Sequence, residues 1–370
     1  MASKRVLLMH ISKISGHYVA ALAIEKAIKI IDPAAYIMPM DAFEYTNPRS
    51  EKIVNAVYMA LIQKMPFLWN YLYDNPSWLK RTAGLKSSIH RRNFPKLDKL
   101  FSDCKPDVVV CTQAYPCGMV ADYKKFRNIN IPLVGVLTDY VPHSYWVYDN
   151  VDYYITPSEE VMERLIKKGV GPQRIKPLGI PFDPKFSRTL DKEEMRRKLG
   201  LSSMFTVLVM GGGQGLGPIK TVVRALDKAD AAFQVAVVCG TNKKVYDSLK
   251  KISPSFRKKI LLLGYCNNID ELMSASDVIV SKPGGVTVAE ALCKGCAMII
   301  VDPLPGQELN NVNYLTARAA AIKVDDPSKA GDAVKALCDD AAQLQRLSQA
   351  ARAISKPNAA IDIAKLVLGL

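Results

Sequence analysis

The chain has 370 residues, of which 49% are hydrophobic and 23% charged. That balance excludes a disordered, collagen-like or disulfide-stapled protein, and the length predicts two domains rather than one hydrophobic core. Fifty Lys and Arg against 35 Asp and Glu leave a formal charge of +15, which points to an anionic partner: nucleic acid, a membrane surface or a phosphorylated ligand.

The chain opens on basic residues and the apolar run Val6-Leu7-Leu8-Met9. The run stops at His10 with no small-residue cleavage site after it, so it reads as a first strand rather than a signal peptide. No apolar run approaches the roughly 18 residues of a membrane-spanning helix. The eight cysteines sit mostly in or beside apolar runs and read as free thiols of a reducing cytosol. Cys293-Lys294-Gly295-Cys296 has metal-type spacing but no second pair to complete a zinc site.

In chain order, strands are predicted at 5–12, 35–42, 107–113, 133–139, 153–158 and 175–181. A second set follows at 205–210, 234–240, 259–266, 277–281, 297–302 and 320–324. These runs are nearly all apolar, as in parallel strands covered by helices on both faces, and the alternation with helical patterns predicts two doubly wound α/β domains. The boundary is expected in Gly179-Ile180-Pro181-Phe182-Asp183-Pro184, followed by a polar helix at about 191–199. Domains are therefore expected over 1–185 and 186–355, with a final helix at 356–370.

The connection between the second and third strands exceeds sixty residues, so an insertion is expected at about 45–105. It carries Tyr58, Phe67, Trp69, Tyr71, Tyr73 and Trp78, then Lys80, Arg81, Lys86, Arg91, Arg92 and Lys96 with no carboxylate from Lys80 to Leu97. Between Arg49 and Arg127 there are 14 Lys and Arg against 6 Asp and Glu, a net of +8. Aromatic rings beside cations suit the interface of an anionic membrane; a core helix with a solvated basic face accounts equally well for composition alone.

Two glycine turns follow predicted strands of the second domain. In Met210-Gly211-Gly212-Gly213-Gln214-Gly215-Leu216-Gly217-Pro218 the backbone can turn tightly and approach an anion. The next strand lacks the acidic residue of a dinucleotide site, and no Gly-Lys-Ser/Thr follows. In Ser281-Lys282-Pro283-Gly284-Gly285-Val286-Thr287-Val288-Ala289-Glu290, Gly284 and Gly285 can open a helix toward a diphosphate, with the Ser281 and Thr287 hydroxyls adding donors. Glu290, about one turn on, could accept both hydroxyls of a ribose. The loop Pro305-Gly306-Gln307-Glu308 offers an amide and a carboxylate to sugar hydroxyls. His17, at the start of the first helix and at the carboxyl end of the first sheet, is expected to be held neutral by the helix N-terminus and able to take a proton.

Taken together, Ser15-Gly16-His17 with Ala20-Ala21, Thr138-Asp139 with Trp146, Thr156-Pro157-Ser158-Glu159-Glu160, Gly179-Ile180-Pro181, both glycine turns and Pro305-Gly306-Gln307-Glu308-Leu309-Asn310-Asn311 are informative. On these motifs the chain resembles the processive diacylglycerol glycosyltransferases and monogalactosyldiacylglycerol synthases, relatives of the lipid-I N-acetylglucosaminyltransferase of peptidoglycan synthesis. One departure stands out: Ile14 precedes Ser15-Gly16-His17 where the family places Gly-Thr or Gly-Ser.

The resemblance implies a GT-B fold, two Rossmann-like domains facing across a cleft, with the final helix returning to the first. It implies an inverting, metal-independent transferase moving glucose or galactose from a UDP-sugar to diacylglycerol, at the cytoplasmic face of an anionic membrane and without nucleic acid. His17 would be the base, with Gly16 beside it, and Asp139 and His143 would line the first-domain side. Gly213, Gly215, Ser281, Gly284, Gly285 and Thr287 would meet the diphosphate, Tyr265 the uracil, Glu290 the ribose, and Gln307 and Glu308 the donor sugar. The alternatives are an N-acetylglucosaminyltransferase acting on a polyprenyl-diphosphate-linked acceptor, or a non-catalytic nucleotide-sugar-binding regulator.

Overall fold

The computed structural model describes residues 3–12, 15–46, 87–142 and 144–370. The aromatic and basic stretch at 47–86, read above as a membrane-facing insertion, and His143 lie outside them. Two compact units are present: Met1–Pro184 with Pro305–Gln307 and Asn358–Leu370, and Lys185–Leu304 with Glu308–Pro357.

In the first unit, β1 (Arg5–His10), α1 (Gly16–Ile31), β2 (Tyr36–Asp41) and α2 (Ala42–Thr46) are followed by α3 (Phe94–Cys104), β3 (Val108–Cys111) and α4 (Ala114–Arg127). Then come β4 (Leu133–Val136), β5 (Tyr153–Ile155), α5 (Glu159–Lys167) and β6 (Ile175–Lys176). The strands form one sheet in the order β2-β1-β3-β4-β5-β6, every pair parallel. The alternation of strand side chains splits the apolar residues between two faces. Leu7 and Met9 join Val109 and Cys111 in a core under α3 and α4, whereas Val6 and Leu8 join Val108 and Val110 under α1. Within the stretch expected to be inserted, α3 belongs to that first core, where Phe94, Leu97, Leu100 and Phe101 are buried.

The second unit runs α6 (Lys192–Lys198), β7 (Thr206–Met210), α7 (Ile219–Lys228), β8 (Gln234–Val238), α8 (Lys243–Ile252), β9 (Ile260–Leu263) and α9 (Ile269–Ala275). It continues with β10 (Val278–Ser281), α10 (Gly285–Lys294), β11 (Ala297–Val301), α11 (Gln307–Thr316, all but its first residue in this unit), β12 (Ala321–Val324), α12 (Ala330–Asp339) and α13 (Ala341–Ala353). Its sheet is also all parallel, in the order β12-β11-β10-β7-β8-β9. Asp191 caps α6 by accepting the Glu194 N–H at 2.7 Å, which starts the polar helix where the sequence predicts it. The last helix, α14 (Ala359–Gly369), is part of the first unit: Ala360, Ile363, Ala364 and Val367 are buried against the α1 face of its sheet.

All twelve predicted strands are present, but most stop short of their expected carboxyl ends. The segment predicted at 175–181 is a strand only at Ile175–Lys176. Gly179, at φ 102°, turns the chain out of the ladder. The residues beyond the strand ends form the loops that carry the functional side chains.

Candidate active site

In an open parallel sheet, ligands bind beyond the carboxyl ends of the strands where the strand order reverses. In the first unit the reversal lies between β1 and β3, and His17 stands there, at the second residue of α1. Ser15 caps that helix by accepting the Tyr18 N–H at 3.3 Å, while its hydroxyl donates to the Ile11 carbonyl at 2.7 Å. Two threonines from the neighbouring strand ends fix the histidine. Thr112, after β3, donates its hydroxyl to the His17 carbonyl at 2.8 Å, and the Thr138 hydroxyl, after β4, lies 2.9 Å from His17 Nδ1.

His17 keeps some accessible surface, yet dense protein around the ring withdraws it from water. Burial pushes its pKa down to about 4, with hydrogen bonding to the Thr112 backbone pulling partly back. The ring is therefore neutral at pH 7, as expected, but from burial rather than from the helix N-terminus. Gly16 is exposed beside it, and Asp139 follows Thr138 in the same loop, half-buried.

In the second unit the reversal lies between β7 and β10, the two strands that the glycine turns follow. The glycines there divide by what a side chain would meet. A Cβ at Gly211 would collide with the Leu216 backbone, one at Gly215 with the Cys239 carbonyl oxygen, and one at Gly240 with the Gly213 carbonyl oxygen. Those three let the turn after β7 close on itself and lock onto the turn after β8; the Thr241 N–H donates to the Gly213 carbonyl at 3.0 Å and Asn242 Nδ2 to the Gly215 carbonyl at 3.0 Å. Gly213 and Gly284, by contrast, have nothing within 4 Å of the Cβ position.

Gly284 is the N-cap of α10 with no side-chain cap, so the first N–H groups of that helix, from Gly285 on, are free to meet an anion. Thr287 is half-buried in the first turn, and Glu290 is buried one turn further on. The Ser281 hydroxyl is buried without a hydrogen-bond partner among the described residues, directly below the turn. Tyr265, after β9, is exposed, with 65% of its surface accessible.

Three residues to which the sequence assigned no role complete the arrangement. Lys282 is only 12% exposed, with its ammonium 3.5 Å from Glu308 and 3.6 Å from Asp302. The same Glu308 carboxylate accepts the Leu304 N–H at 2.7 Å, so it closes its own loop as well as pairing with Lys282. Gln307 begins α11. Fully buried Asn311 donates to the Pro283 carbonyl at 3.0 Å and ties α11 to the glycine turn. Lys282 and Asn311 stand inside the quoted motifs, but only the fold shows that strand end, loop and helix converge on them. Asp302, in the left-handed region at φ 47°, aims the loop out of β11.

The model of the monogalactosyldiacylglycerol (MGDG) synthase family matches residues 17–182, and that of the glycosyltransferase family 28 C-terminal domain matches residues 206–367. The processive diacylglycerol beta-glucosyltransferase of Bacillus subtilis (strain 168) is 30% identical over 352 residues, which cover 94% of this chain and 90% of the relative. The chain belongs to the diacylglycerol glycosyltransferase family. Among solved structures, MurG of Acinetobacter baumannii superposes with a TM-score of 0.65 at 15% identity, covering 99% of this chain and all of that one. Anabaena HepE in complex with UDP-glucose gives 0.57 at 14% identity, covering 99% and 100%. These likenesses show a GT-B-like pair of Rossmann-like units in this diacylglycerol glycosyltransferase family member. The two family models divide it as the two sheets do, with His17 at the start of the first match.

Proposed function

We propose that the protein transfers a hexose, glucose in first place, from a UDP-sugar to diacylglycerol, with inversion at the anomeric carbon and without a metal. The observation that carries this reading is His17: a neutral histidine at the sheet reversal, its Nδ1 beside the Thr138 hydroxyl, in a chain of this family. For His17 to act as a base, Nδ1 carries the proton and donates it to Thr138 Oγ1, leaving the Nε2 lone pair for the acceptor hydroxyl. The acceptor oxygen then bonds to the anomeric carbon, the bond from that carbon to the UDP oxygen breaks, and the acceptor proton ends on Nε2.

Charge develops on the departing diphosphate. The open N-terminus of α10 supplies positive potential to meet it, which is the support for a metal-free reaction. Glu290 is assigned to the ribose, Tyr265 to the uracil, and Gln307 with Glu308 to the sugar. The relatives' printed names favour glucose, and a beta product from an alpha-linked UDP-sugar favours inversion. No described helix is long and apolar enough to cross a membrane. Contact with the lipid surface, at its cytoplasmic side, is assigned to the aromatic and basic residues of 47–86.

The test is to incubate the protein with diacylglycerol-containing vesicles and a panel of UDP-sugars, with and without a chelator, and to identify products by mass spectrometry and anomeric NMR coupling. A beta-linked hexosyl-diacylglycerol, formed from UDP-glucose and unaffected by chelation, is expected. Absence of glycolipid with every UDP-sugar overturns the function, and an alpha-linked product or loss of activity on chelation overturns the mechanism.

A further inference from the structure

The second unit has a cavity of about 470 Å³ at the opposite end of β10 and α10 from the glycine turn that joins them. Its walls are the segment 186–192, the residues just before β10 and β11, the end of α10 and one face of α13. Ser276 and Asp277 precede β10 and Cys296 precedes β11, so the cavity lies at the amino ends of strands whose carboxyl ends carry the proposed donor site. At roughly 30 Å³ per water it has the volume of about fifteen waters, more than an inorganic phosphate needs.

The charge around it is unbalanced. Arg188, Lys192, Lys294 and Arg352 line the wall, with Asp277 as the carboxylate. Asp277 is already matched: Arg196 donates to it at 2.6 Å and Lys192 at 2.7 Å. Among the described residues, Lys294 and Arg352 have only backbone carbonyls as partners, and the Arg188 guanidinium makes no hydrogen bond or ion pair. Lys294 Nζ donates to the Arg188 carbonyl at 2.8 Å, and Arg352 donates to the Lys294 carbonyl at 3.2 Å. Burial pushes the Lys294 pKa down; the carboxylate that pulls it back most, Asp270, is engaged by Lys185 at 3.0 Å.

Gly295, at φ 64°, makes room for the Arg352 guanidinium, which would collide with a Cβ there. The end of α10 would repel an anion through its carbonyls, but Ser348 donates to the Gly295 carbonyl at 2.6 Å and Arg352 occupies the one before it. The side chains that line the cavity therefore carry four cations against one carboxylate.

We propose that this cavity binds a phosphate-bearing anion, a phosphate ester or an anionic lipid headgroup, held by Arg188, Lys294 and Arg352. Planar guanidinium groups and a desolvated ammonium are the donors that phosphate oxygens engage most strongly. This reading is independent of the donor site, and it gives part of the second domain's positive charge a purpose.

Cys293 borders the cavity, its thiol 3.5 Å from the Phe186 carbonyl, and serves as a local reporter. The full-length protein is alkylated with a maleimide, and Cys293 modification is followed by mass spectrometry under three conditions. These are glycerol phosphate in solution, phosphatidylglycerol vesicles, and phosphatidylcholine vesicles as the uncharged control. Glycerol phosphate or phosphatidylglycerol, but not phosphatidylcholine, should slow modification of Cys293 at least threefold. Protection by glycerol phosphate identifies a soluble ester as sufficient; protection by phosphatidylglycerol alone identifies the headgroup at a membrane.

The double substitution Arg188→Gln with Lys294→Gln should weaken the protecting anion at least tenfold and leave UDP affinity unchanged. Arg352→Gln alone, should the double variant unfold, should weaken it by a similar factor. Absence of protection by both anions overturns the proposal. So does protection that persists undiminished in a folded variant.

Discussion

At His17 the decisive quantity is desolvation. A histidine in water titrates near 6.5; this one is moved to about 4 because the protein around α1 replaces water, and among the described residues no carboxylate pulls it back. The proposed base therefore stays ready over a wider acid range than a solvated histidine. The acid limb of kcat/KM should fall near pH 4 to 5, and a limb near 6.5 would show that the ring is solvated or that another group is the base. The same shift has a stability cost of definite sign. Below 6.5 the unfolded chain takes up a proton that the folded chain refuses, so the stabilisation present above pH 6.5 is lost as pH falls toward 4, by at most about 3 kcal/mol. His17→Ala should remove that pH dependence. It should also lower kcat by about 10²–10⁴-fold with UDP affinity unchanged, measured by UDP release and calorimetry. Turnover equal to the parent's removes His17 from the chemistry.

At the scale of elements, the turn after β7 shows how one glycine-rich motif serves two purposes. Gly215, at φ 60°, lets the turn close against the Cys239 carbonyl, whereas Gly213 faces open space. Gly215→Ala should cost about 2–3 kcal/mol, from a strained backbone and a collision with main chain that cannot yield, and should lower Tm clearly in a thermal melt. Gly213→Ala should stay within about 0.5 kcal/mol of the parent yet weaken UDP binding, if the diphosphate approaches that face. Equal stability loss in both variants would show that the division is wrong. Both turns were legible in the sequence because glycine clusters after apolar runs have few other uses. Which glycine packs and which faces a ligand was not legible, since that depends on the loop after β8, more than twenty residues away. The same distance hid Asn311, whose amide reaches back to Pro283, and Lys282, whose carboxylate partners lie twenty residues or more downstream.

For the whole molecule, the charge is the property to test. The stretch from Arg49 to Arg127 carries a net of +8, and the part of it at 47–86 combines cations with Trp69, Trp78 and several tyrosines. If that composition meets lipid, the protein should sediment with anionic vesicles at low ionic strength and be released between about 0.1 and 0.5 M salt, because surface charge is screened over the Debye length. Binding to neutral vesicles with the same strength, or no binding at all, would count against an electrostatic contribution from this stretch.

By itself the sequence determined the two doubly wound sheets, the twelve strands in their order, the start of α6 and the family. Apolar runs, glycine turns and motif order are local or sequential properties that survive without coordinates. It also marked His17 and both glycine turns, since strand ends are where such sheets bind ligands. Tertiary structure alone decided the rest. It set the order of strands across each sheet, placed α3 in the core of the first unit, and made burial the reason that His17 is neutral. It also brought Arg188, Lys294 and Arg352 to one cavity from segments more than 160 residues apart in the chain. Desolvation and convergence of distant side chains depend on what packs around a residue, and a chain read in one dimension has no term for that.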